Sequence, residues 1–372
     1  MKISRIKIDG FKNLKNVEIF PCEKTNIIFG ENAQGKTNLI EALWTCSGVK
    51  SFRGTRDKGF IDINKDRAEI EVDFINSFRK QTINIACVKP QVRDKSVTLN
   101  GVKLKSVSKL FGNLDCVVFT PEDLELSKGS PDNRRGFLDL CISQIKNSYN
   151  DVISKYETIL QQRNSLLKNI QSGISKRDEL DVWDIQLSRM GAYISMLRYN
   201  YAKKLNLYTS GLYERISSNR EKLELVYNST VYDNLEGRDD FNGEMAEEYL
   251  KRLKENFSDD LKSGFTQVGV HRDDLFTNLD GLNSREFGSQ GQNRSVALVM
   301  KLAQAYILEG ETNEAPVILL DDVLSELDAK RQEFVKSKIE KFQIFITCCE
   351  KPTQNFENQK LFEVVEGCVS EK

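Results

Sequence analysis

The sequence lacks the long apolar run that a membrane-spanning helix requires. Such a helix needs about 20 consecutive, mostly apolar residues, and no run of that length occurs in the 372 residues. An unbroken apolar signal core is also missing, because the N-terminal segment MKISRIKIDGFKNL alternates charged and aliphatic side chains. We therefore expect a cytoplasmic protein that is neither secreted nor embedded in a membrane.

Paired cysteines and an excess of one charge are missing as well. The eight cysteines contain no CxxC pair, so their spacing favours neither a zinc site nor a disulfide framework. The 54 basic and 55 acidic side chains nearly cancel, which leaves a net charge of −1. A strongly basic chain would indicate nucleic acid by itself. Here, any DNA site has to come from local clustering of basic residues.

A glycine-rich segment is the most specific motif that is present. It fits the pattern GxxxxGK[ST] and consists of Gly30, Glu31, Asn32, Ala33, Gln34, Gly35, Lys36 and Thr37. An apolar run typical of a buried strand precedes it and a helical pattern follows, which is the context that a phosphate-binding loop requires. The glycines let backbone N–H groups point at phosphate oxygens, and the helix N-terminus adds partial positive charge. In such loops the lysine reaches the β- and γ-phosphates, and the final hydroxyl can bind Mg²⁺.

Two adjacent carboxylates follow a second apolar run. Val317–Leu320 are four aliphatic residues, and Asp321 and Asp322 come directly after them. A buried parallel strand would place Asp321 at its carboxyl end, beside the phosphate loop. There Asp321 can hold Mg²⁺, and Asp322 can orient the attacking water and accept its proton. The alternative for this pair is the solvent-exposed start of a helix. For Asp328, which follows Ser325-Glu326-Leu327, the alternative to a functional role is a helix cap.

A second candidate anion site precedes an apolar, alanine-rich helix. Residues 287–294 read FGSQGQNR, and Ser289 with its neighbouring glycines stands at the helix start. One triphosphate does not need two such sites from one chain. A head-to-head dimer is the economical arrangement, in which Ser289 and Gln292 of one copy face the nucleotide held by Lys36 of the other. A serine N-cap beside a flexible glycine is the alternative.

The spacing of apolar residues changes twice along the chain. Segments up to about residue 120 alternate as strands do, whereas from about Pro131 the spacing becomes three and four residues. Two heptad runs separated by Gly173, the first interrupted only at Arg163, predict an antiparallel helical hairpin. Strand-like segments then return. We predict an α/β head of the P-loop NTPase type, with a mixed sheet and an antiparallel β lobe, formed by residues 1–125 and 262–372. Residues 126–261 would form a helical insertion domain, the arm.

Together these motifs resemble the bacterial RecF family of DNA-repair proteins. The resemblance rests on the phosphate loop, the SQGQ segment, LLDDV followed by SELD, and the modest helical insertion, and it extends to FTPEDL at 119–124 and to HRDDL at 271–275. It implies an ABC-type head, similar to SMC heads, that binds ATP and Mg²⁺, dimerises on ATP and hydrolyses it slowly as a weak DNA-dependent ATPase. It also implies binding of single- and double-stranded DNA, work with RecO and RecR in loading RecA at gaps, and support of the SOS response.

The resemblance also implies a role for individual residues. It assigns the phosphates to residues 30–37, Mg²⁺ to Thr37 and Asp321, the hydrolytic base to Asp322, the contact with the partner's nucleotide to Ser289, and a nucleotide-facing position to Lys12. The sequence departs from the family pattern at Lys12-Asn13-Leu14, where Arg-Asn-Tyr is usual. It also has Thr347-Cys348-Cys349 after the last core strand, without the histidine that transporter ATPases carry there.

A basic segment just beyond the phosphate-loop helix is the candidate DNA contact. It contains glycine and four cations, namely Lys50, Arg53, Arg56 and Lys58. Such a loop can contact DNA phosphates without reading bases, and a solvated charged loop is the alternative.

Two other functional classes remain open from the sequence. One is the ATPase subunit of a membrane transporter, against which the size of the helical hairpin and the missing histidine both argue. The other is a nucleotide-switched scaffold in which hydrolysis is incidental. The acidic pair favours competence to hydrolyse.

Overall fold

The computed structural model describes residues 1–49, 51–54, 57–89, 95–351 and 358–372. The chain forms two compact units, residues 1–125 together with 297–372, and residues 126–296. Within the described ranges, no helix combines the length and the apolar character needed to cross a membrane.

The helices and strands follow one another in three blocks. The first block contains β1 (Lys2–Asp9), β2 (Val17–Ile19), β3 (Thr25–Phe29), α1 (Lys36–Cys46), β4 (Arg67–Ile75), β5 (Lys80–Val88), β6 (Ser96–Leu99), β7 (Val102–Leu104) and β8 (Cys116–Phe119). The second contains α2 (Pro131–Ile145), α3 (Ser148–Gln171), α4 (Asp181–Ser217), β9 (Leu223–Asn228), α5 (Gly243–Glu255), α6 (Phe257–Ser263), β10 (Asp274–Leu279), β11 (Leu282–Asn283), α7 (Ser284–Phe287) and α8 (Gln290–Thr312). The third contains β12 (Val317–Leu320), α9 (Ala329–Ile339), β13 (Ile344–Cys348), β14 (Gln359–Val365) and β15 (Cys368–Glu371).

The first unit contains the two sheets that the sequence predicts. One is antiparallel, in the order β2-β1-β4-β5-β6-β7. Its β4 buries every second side chain, from Ala68 to Phe74, and exposes or half-exposes the residues between them, because successive side chains of a strand point to opposite faces. The second sheet is mixed, in the order β15-β14-β3-β13-β12-β8. The α/β head with a separate antiparallel lobe is therefore confirmed.

The register of the mixed sheet brings the two sequence motifs to one edge. β3, β13, β12 and β8 are parallel neighbours, with Phe29 paired to Cys348 and Leu320 paired to Ile346. β3 and β12 are buried along their whole length, as expected for parallel strands covered on both faces. The phosphate loop after β3 and the acidic pair after β12 therefore leave the sheet on the same side.

The second unit contains the predicted helical hairpin, and the interruption of its heptad pattern is a buried ion pair. Arg163, in the second half of α3, donates from Nε to Asp184 Oδ1 near the start of α4 at 2.6 Å. It also donates from Nη1 to Asp260 Oδ2 and to Thr266 Oγ1, both at 2.7 Å. Its side chain is fully buried. The charged residue that interrupts the heptad pattern is therefore enclosed between α3, α4 and α6, where it binds side chains of its neighbours.

Replacing Arg163 with Met is expected to lower the free energy of unfolding by about 3–5 kcal/mol. The substitution leaves the carboxylates of Asp184 and Asp260 without their cation in a buried position. Chemical denaturation measures the effect. Arg189→Met on an exposed position of α4 is the matched control and should change stability by about 0.5 kcal/mol or less. Equal stabilities of the two variants would show that the buried pair contributes nothing.

The boundary between the two units differs from the predicted domain boundary. The second unit continues to Val296, whereas the predicted arm ends at residue 261. β10 pairs with β9 along its whole length, from Asp274 opposite Asn228 to Leu279 opposite Leu223. This pairing joins residues after 262 to the helical unit. The functional division into head and arm stays a prediction.

Candidate functional site

The phosphate loop follows β3 and leads directly into α1. Ala33 and Gly35 have positive φ angles of 65° and 120°, so the chain curls between the strand and the helix. Lys36 opens the helix and is only 4% exposed. Its Nζ donates to the carbonyl oxygens of Gly30 and Glu31 at 2.7 and 2.9 Å. These bonds hold the ammonium group of Lys36 at the loop, where its positive charge would attract phosphate oxygens.

The two predicted Mg²⁺ ligands lie together. The hydroxyl of Thr37 lies close enough to Asp321, which follows β12 directly, to lower the pKa of that carboxyl group. Both offer the hard oxygen atoms that Mg²⁺ prefers, and Mg²⁺ usually completes its coordination with substrate phosphates and water. This donor set fits a Mg²⁺ ion whose other ligands come from a nucleotide. Among the described residues, no group of three or more His, Cys, Asp or Glu could hold a metal ion.

Thr347 at the end of β13 connects the two acids. Its Oγ1 donates to Asp321 Oδ1 at 3.0 Å and accepts from the backbone N–H of Asp322 at 2.8 Å. Burial raises the pKa of Asp321 to about 6. The hydrogen bond from Thr347 and the hydroxyl of Thr37 oppose this rise, and the charge of Asp322 adds to it. The sequence analysis names Thr347 only as part of a departure from the family pattern and gives it no role, although a polar residue closing an apolar strand next to β12 is a usable signal.

Lys12, predicted to face the nucleotide, forms an ion pair with Glu41 of α1. Glu41 is fully buried, and Ser51 also hydrogen-bonds to it. The pair connects the loop after β1 to the phosphate-loop helix. A nucleotide contact by Lys12 stays a prediction.

Ser289 and Gln292 cap the N-terminus of α8 reciprocally. Ser289 Oγ accepts from the backbone N–H of Gln292 at 3.2 Å, and Gln292 Oε1 accepts from the backbone N–H of Ser289 at 2.7 Å. This is the capping-box pattern. Locally, Ser289 is therefore the helix N-cap that the sequence analysis gives as the alternative to an anion site. Gln292 Nε2 also donates to Glu221 Oε1 at 2.7 Å. Both polar ends of the Gln292 side chain are therefore hydrogen-bonded within the second unit.

Asn293, which sequence reasoning did not single out, shapes the turn before α8. Its Nδ2 lies 2.9–3.0 Å from the carbonyl oxygens of Ser284, Gly288 and Ser289. Its Oδ1 accepts from the hydroxyl of Ser127 at 2.8 Å. The side chain is almost completely buried, so the Ser289 turn is supported from beneath although Ser289 itself is exposed.

The basic segment is only partly described. Lys50 and Arg56 lie outside the described residues, and of Lys58 only the backbone is described. Arg53 donates from Nη1 to Asn38 Oδ1 on α1 at 3.3 Å, and its charge acts on Asp321 to lower the pKa of that carboxyl group. Arg53 therefore stands beside the phosphate-loop helix. DNA contact by these four residues stays a prediction.

His271 belongs to a directional hydrogen-bond chain inside the second unit. Its Nε2 lies 3.0 Å from the carbonyl oxygen of Thr266, which can only accept, so Nε2 carries the proton. Nδ1 must then accept from the hydroxyl of Tyr156 at 2.9 Å, and Tyr156 in turn accepts from Tyr249 at 3.0 Å. Burial lowers the pKa of His271 to about 4, which keeps the ring neutral.

Stability should fall between about pH 6.5 and pH 4 because of His271. The folded state takes up the proton at a lower pH than the unfolded chain does, so protonation favours unfolding. The contribution is fully present above pH 6.5 and is lost as the pH falls to about 4. Relative to His271→Gln, which carries no titrating group, the wild type should lose up to about 3 kcal/mol over this range. Denaturation curves of both proteins measure it, and parallel pH profiles would contradict it.

Comparisons with known proteins agree with the family resemblance that the motifs indicate. The RecF/RecN/SMC N terminal domain family matches residues 2–369. The chain is 38% identical over 347 residues to the DNA replication and repair protein RecF of Alkaliphilus oremlandii, covering 93% of each chain. It is 37% identical over 370 residues to the protein of the same name from Clostridium perfringens, covering 99% of each.

Solved structures agree with these sequence relatives. The recombination mediator protein RecF-ATPrS of the RecFOR pathway superposes with a TM-score of 0.92 at 37% identity, over 99% of this chain and 97% of that one. An Smc head bound to the C-winged helix domain of ScpA has a TM-score of 0.55 at 16% identity, over 100% and 98% of the two chains, and so shows a shared fold alone. By its motifs, its full-length relatives and its architecture, the chain belongs to the RecF family.

Proposed function

We propose that this chain binds ATP with Mg²⁺, pairs with a second copy on ATP and hydrolyses it slowly, in the service of DNA replication and repair. The observation that supports this most strongly is the parallel register of β3, β13 and β12, because it brings the phosphate loop and the acidic pair to one edge of the sheet. Relatives with 37–38% identity are named DNA replication and repair protein RecF. One of the solved relatives is RecF-ATP.

Each residue of the site has a distinct task in hydrolysis. Lys36 offsets the negative charge of the β- and γ-phosphates. Thr37 and Asp321 would hold Mg²⁺, which would supply positive charge beside the phosphate oxygens. Asp322 orients the attacking water and accepts its proton. Thr347 fixes the two acids relative to each other through its hydrogen bonds to both.

Ser289 completes the site in the second copy. Its Oγ accepts from the N–H of Gln292, which leaves its hydroxyl hydrogen able to donate to a γ-phosphate. Gln292 keeps the serine in place through the reciprocal cap, and the partial positive charge of the helix N-terminus favours an anion there. The nucleotide would therefore hold two copies together.

DNA is the proposed partner of the ATP-bound dimer. Arg53 with Lys50, Arg56 and Lys58 would contact the phosphates of single- or double-stranded DNA, and this contact would stimulate the weak ATPase. The RecFOR pathway named for a relative supports partnership with RecO and RecR, with which the chain would act in the cytoplasm. Through them the chain would promote RecA loading at gaps and support the SOS response.

Light scattering with and without ATP–Mg²⁺, repeated with added duplex, tests this function. The expected result is a monomer that doubles in mass with ATP–Mg²⁺ and then forms a larger complex with DNA. A mass that ATP leaves unchanged, with and without duplex, would overturn the proposal.

A further inference from the structure

The outer side of the phosphate loop is held by two segments distant in sequence. Asn13, after β1, donates from Nδ2 to Gln34 O at 3.0 Å and to Ala33 O at 3.3 Å. The backbone N–H of Gly367, in the turn between β14 and β15, also donates to Gln34 O at 3.1 Å. Next to it, the N–H of Glu366 donates to Gln34 Oε1 at 2.5 Å. We call Asn13 and the Glu366–Gly367 turn the bracket.

The covalent geometry of the peptide group gives these bonds a consequence inside the loop. In a planar trans peptide the C=O and the following N–H point in opposite directions. Fixing the carbonyl oxygens of Ala33 and Gln34 on the bracket therefore directs the N–H groups of Gln34 and Gly35 to the opposite side. These are the donors that a phosphate-binding loop presents to its ligand.

The bracket tolerates little change at Gly367. This residue has a φ of 81°, and a Cβ added to it would lie 1.8 Å from Asn13 O. Its own carbonyl oxygen accepts from the N–H of Lys15 at 2.9 Å, so Gly367 is bonded on both sides. β14, which leads into this turn, is the parallel neighbour of β3, and a Cβ at Gly30 would lie 2.4 Å from Val364 O. The phosphate loop follows β3, and the Glu366–Gly367 turn follows the neighbouring strand β14. The pairing of these two strands therefore brings the turn next to the loop.

We propose that the bracket is a positioning device that sets the nucleotide affinity of the phosphate loop. Asn13, Glu366 and Gly367 act through Ala33 and Gln34 and need not contact the nucleotide themselves. Donors that are oriented before binding cost less to order when the ligand arrives. The proposal rests on the proposed ATP binding. It adds that residues far from the phosphate loop in sequence determine how tightly ATP binds.

The ATP affinity of Gly367→Ala, measured by titration calorimetry, tests the proposal. We expect affinity to fall about tenfold, the effect of losing roughly one such hydrogen bond and the order that it imposes. Gly101→Ala is the matched control, because Gly101 has a φ of 79° in a turn of the same unit and a Cβ there meets nothing within 4 Å. Both variants place alanine at a similar positive φ, and only Gly367→Ala adds the clash with Asn13 O, so a difference in affinity between the folded variants reports on the bracket and not on the backbone strain.

A second variant covers the case in which Gly367→Ala does not fold. Asn13→Ala removes the Nδ2 donor from both carbonyls without adding a clash, and the same loss of affinity is expected. ATP binding by either folded bracket variant that equals the wild type and Gly101→Ala would overturn the bracket while the proposed function stands. A wild type that does not bind ATP would overturn both.

Discussion

Lys36→Met should abolish detectable ATP binding and, with it, ATP-induced association. The substitution keeps a side chain of similar length but removes the buried cation, whose Nζ bonds to Gly30 O and Glu31 O at the loop. A charged hydrogen bond contributes about 1.5–3 kcal/mol, and a phosphate left without its cation in a buried site costs more. An affinity loss of at least about a hundredfold follows from these values.

Titration calorimetry and light scattering of the same samples measure both parts of this prediction. Lys105→Met, on an exposed residue after β7, is the matched control and should bind ATP and associate as the wild type does. Thermal melting of the two variants without nucleotide shows whether the fold is kept. If Lys36→Met binds ATP normally and gains mass with ATP as the wild type does, Lys36 does not hold the phosphates.

Asp322→Asn should separate hydrolysis from binding. Asn keeps the shape of the side chain, and its backbone N–H can still donate to Thr347 Oγ1, but the amide cannot accept a proton from water. General-base catalysis typically contributes about 10²- to 10⁴-fold. We therefore expect single-turnover hydrolysis to fall by about a hundredfold or more, while ATP affinity and ATP-induced association remain.

Asp328→Asn provides the control for this substitution. Asp328 caps α9 by accepting from the N–H of Arg331 at 3.0 Å, and Asn caps helices about as well as Asp. It should hydrolyse ATP at the wild-type rate. Equal, slow turnover by the wild type and Asp322→Asn would instead favour the nucleotide-switched scaffold, in which hydrolysis is incidental.

The parts of the site that lie in one continuous segment could be predicted from the sequence. The phosphate loop combines a glycine pattern with a strand before it and a helix after it. The acidic pair follows four aliphatic residues, and the parallel register of β3, β13 and β12 brings the two together. The helical hairpin was equally visible, because heptad spacing persists through α3 and α4. Family membership excludes the transporter alternative.

Features that depend on contacts between distant segments could not be predicted in this way. Thr347 and Asn293 are single polar residues whose partners come from other elements. The burial of Arg163 depends on Asp260, nearly a hundred positions later along the chain. The bracket joins residues 13 and 367 to the loop at 33–34. In each case the partner is chosen by tertiary packing, which local spacing does not encode.

Mixing two inactive variants is the most direct test of a nucleotide shared between two copies. Lys36→Met lacks the phosphate grip, and Ser289→Arg places a bulky cation at the exposed turn that would face the partner's nucleotide. In a mixed pair, one site receives both substitutions and the other receives neither. Hydrolysis in the mixture well above the sum of the two separate rates is the expected result. A mixture no more active than that sum, although the subunits exchange, would show that the two copies do not share the site.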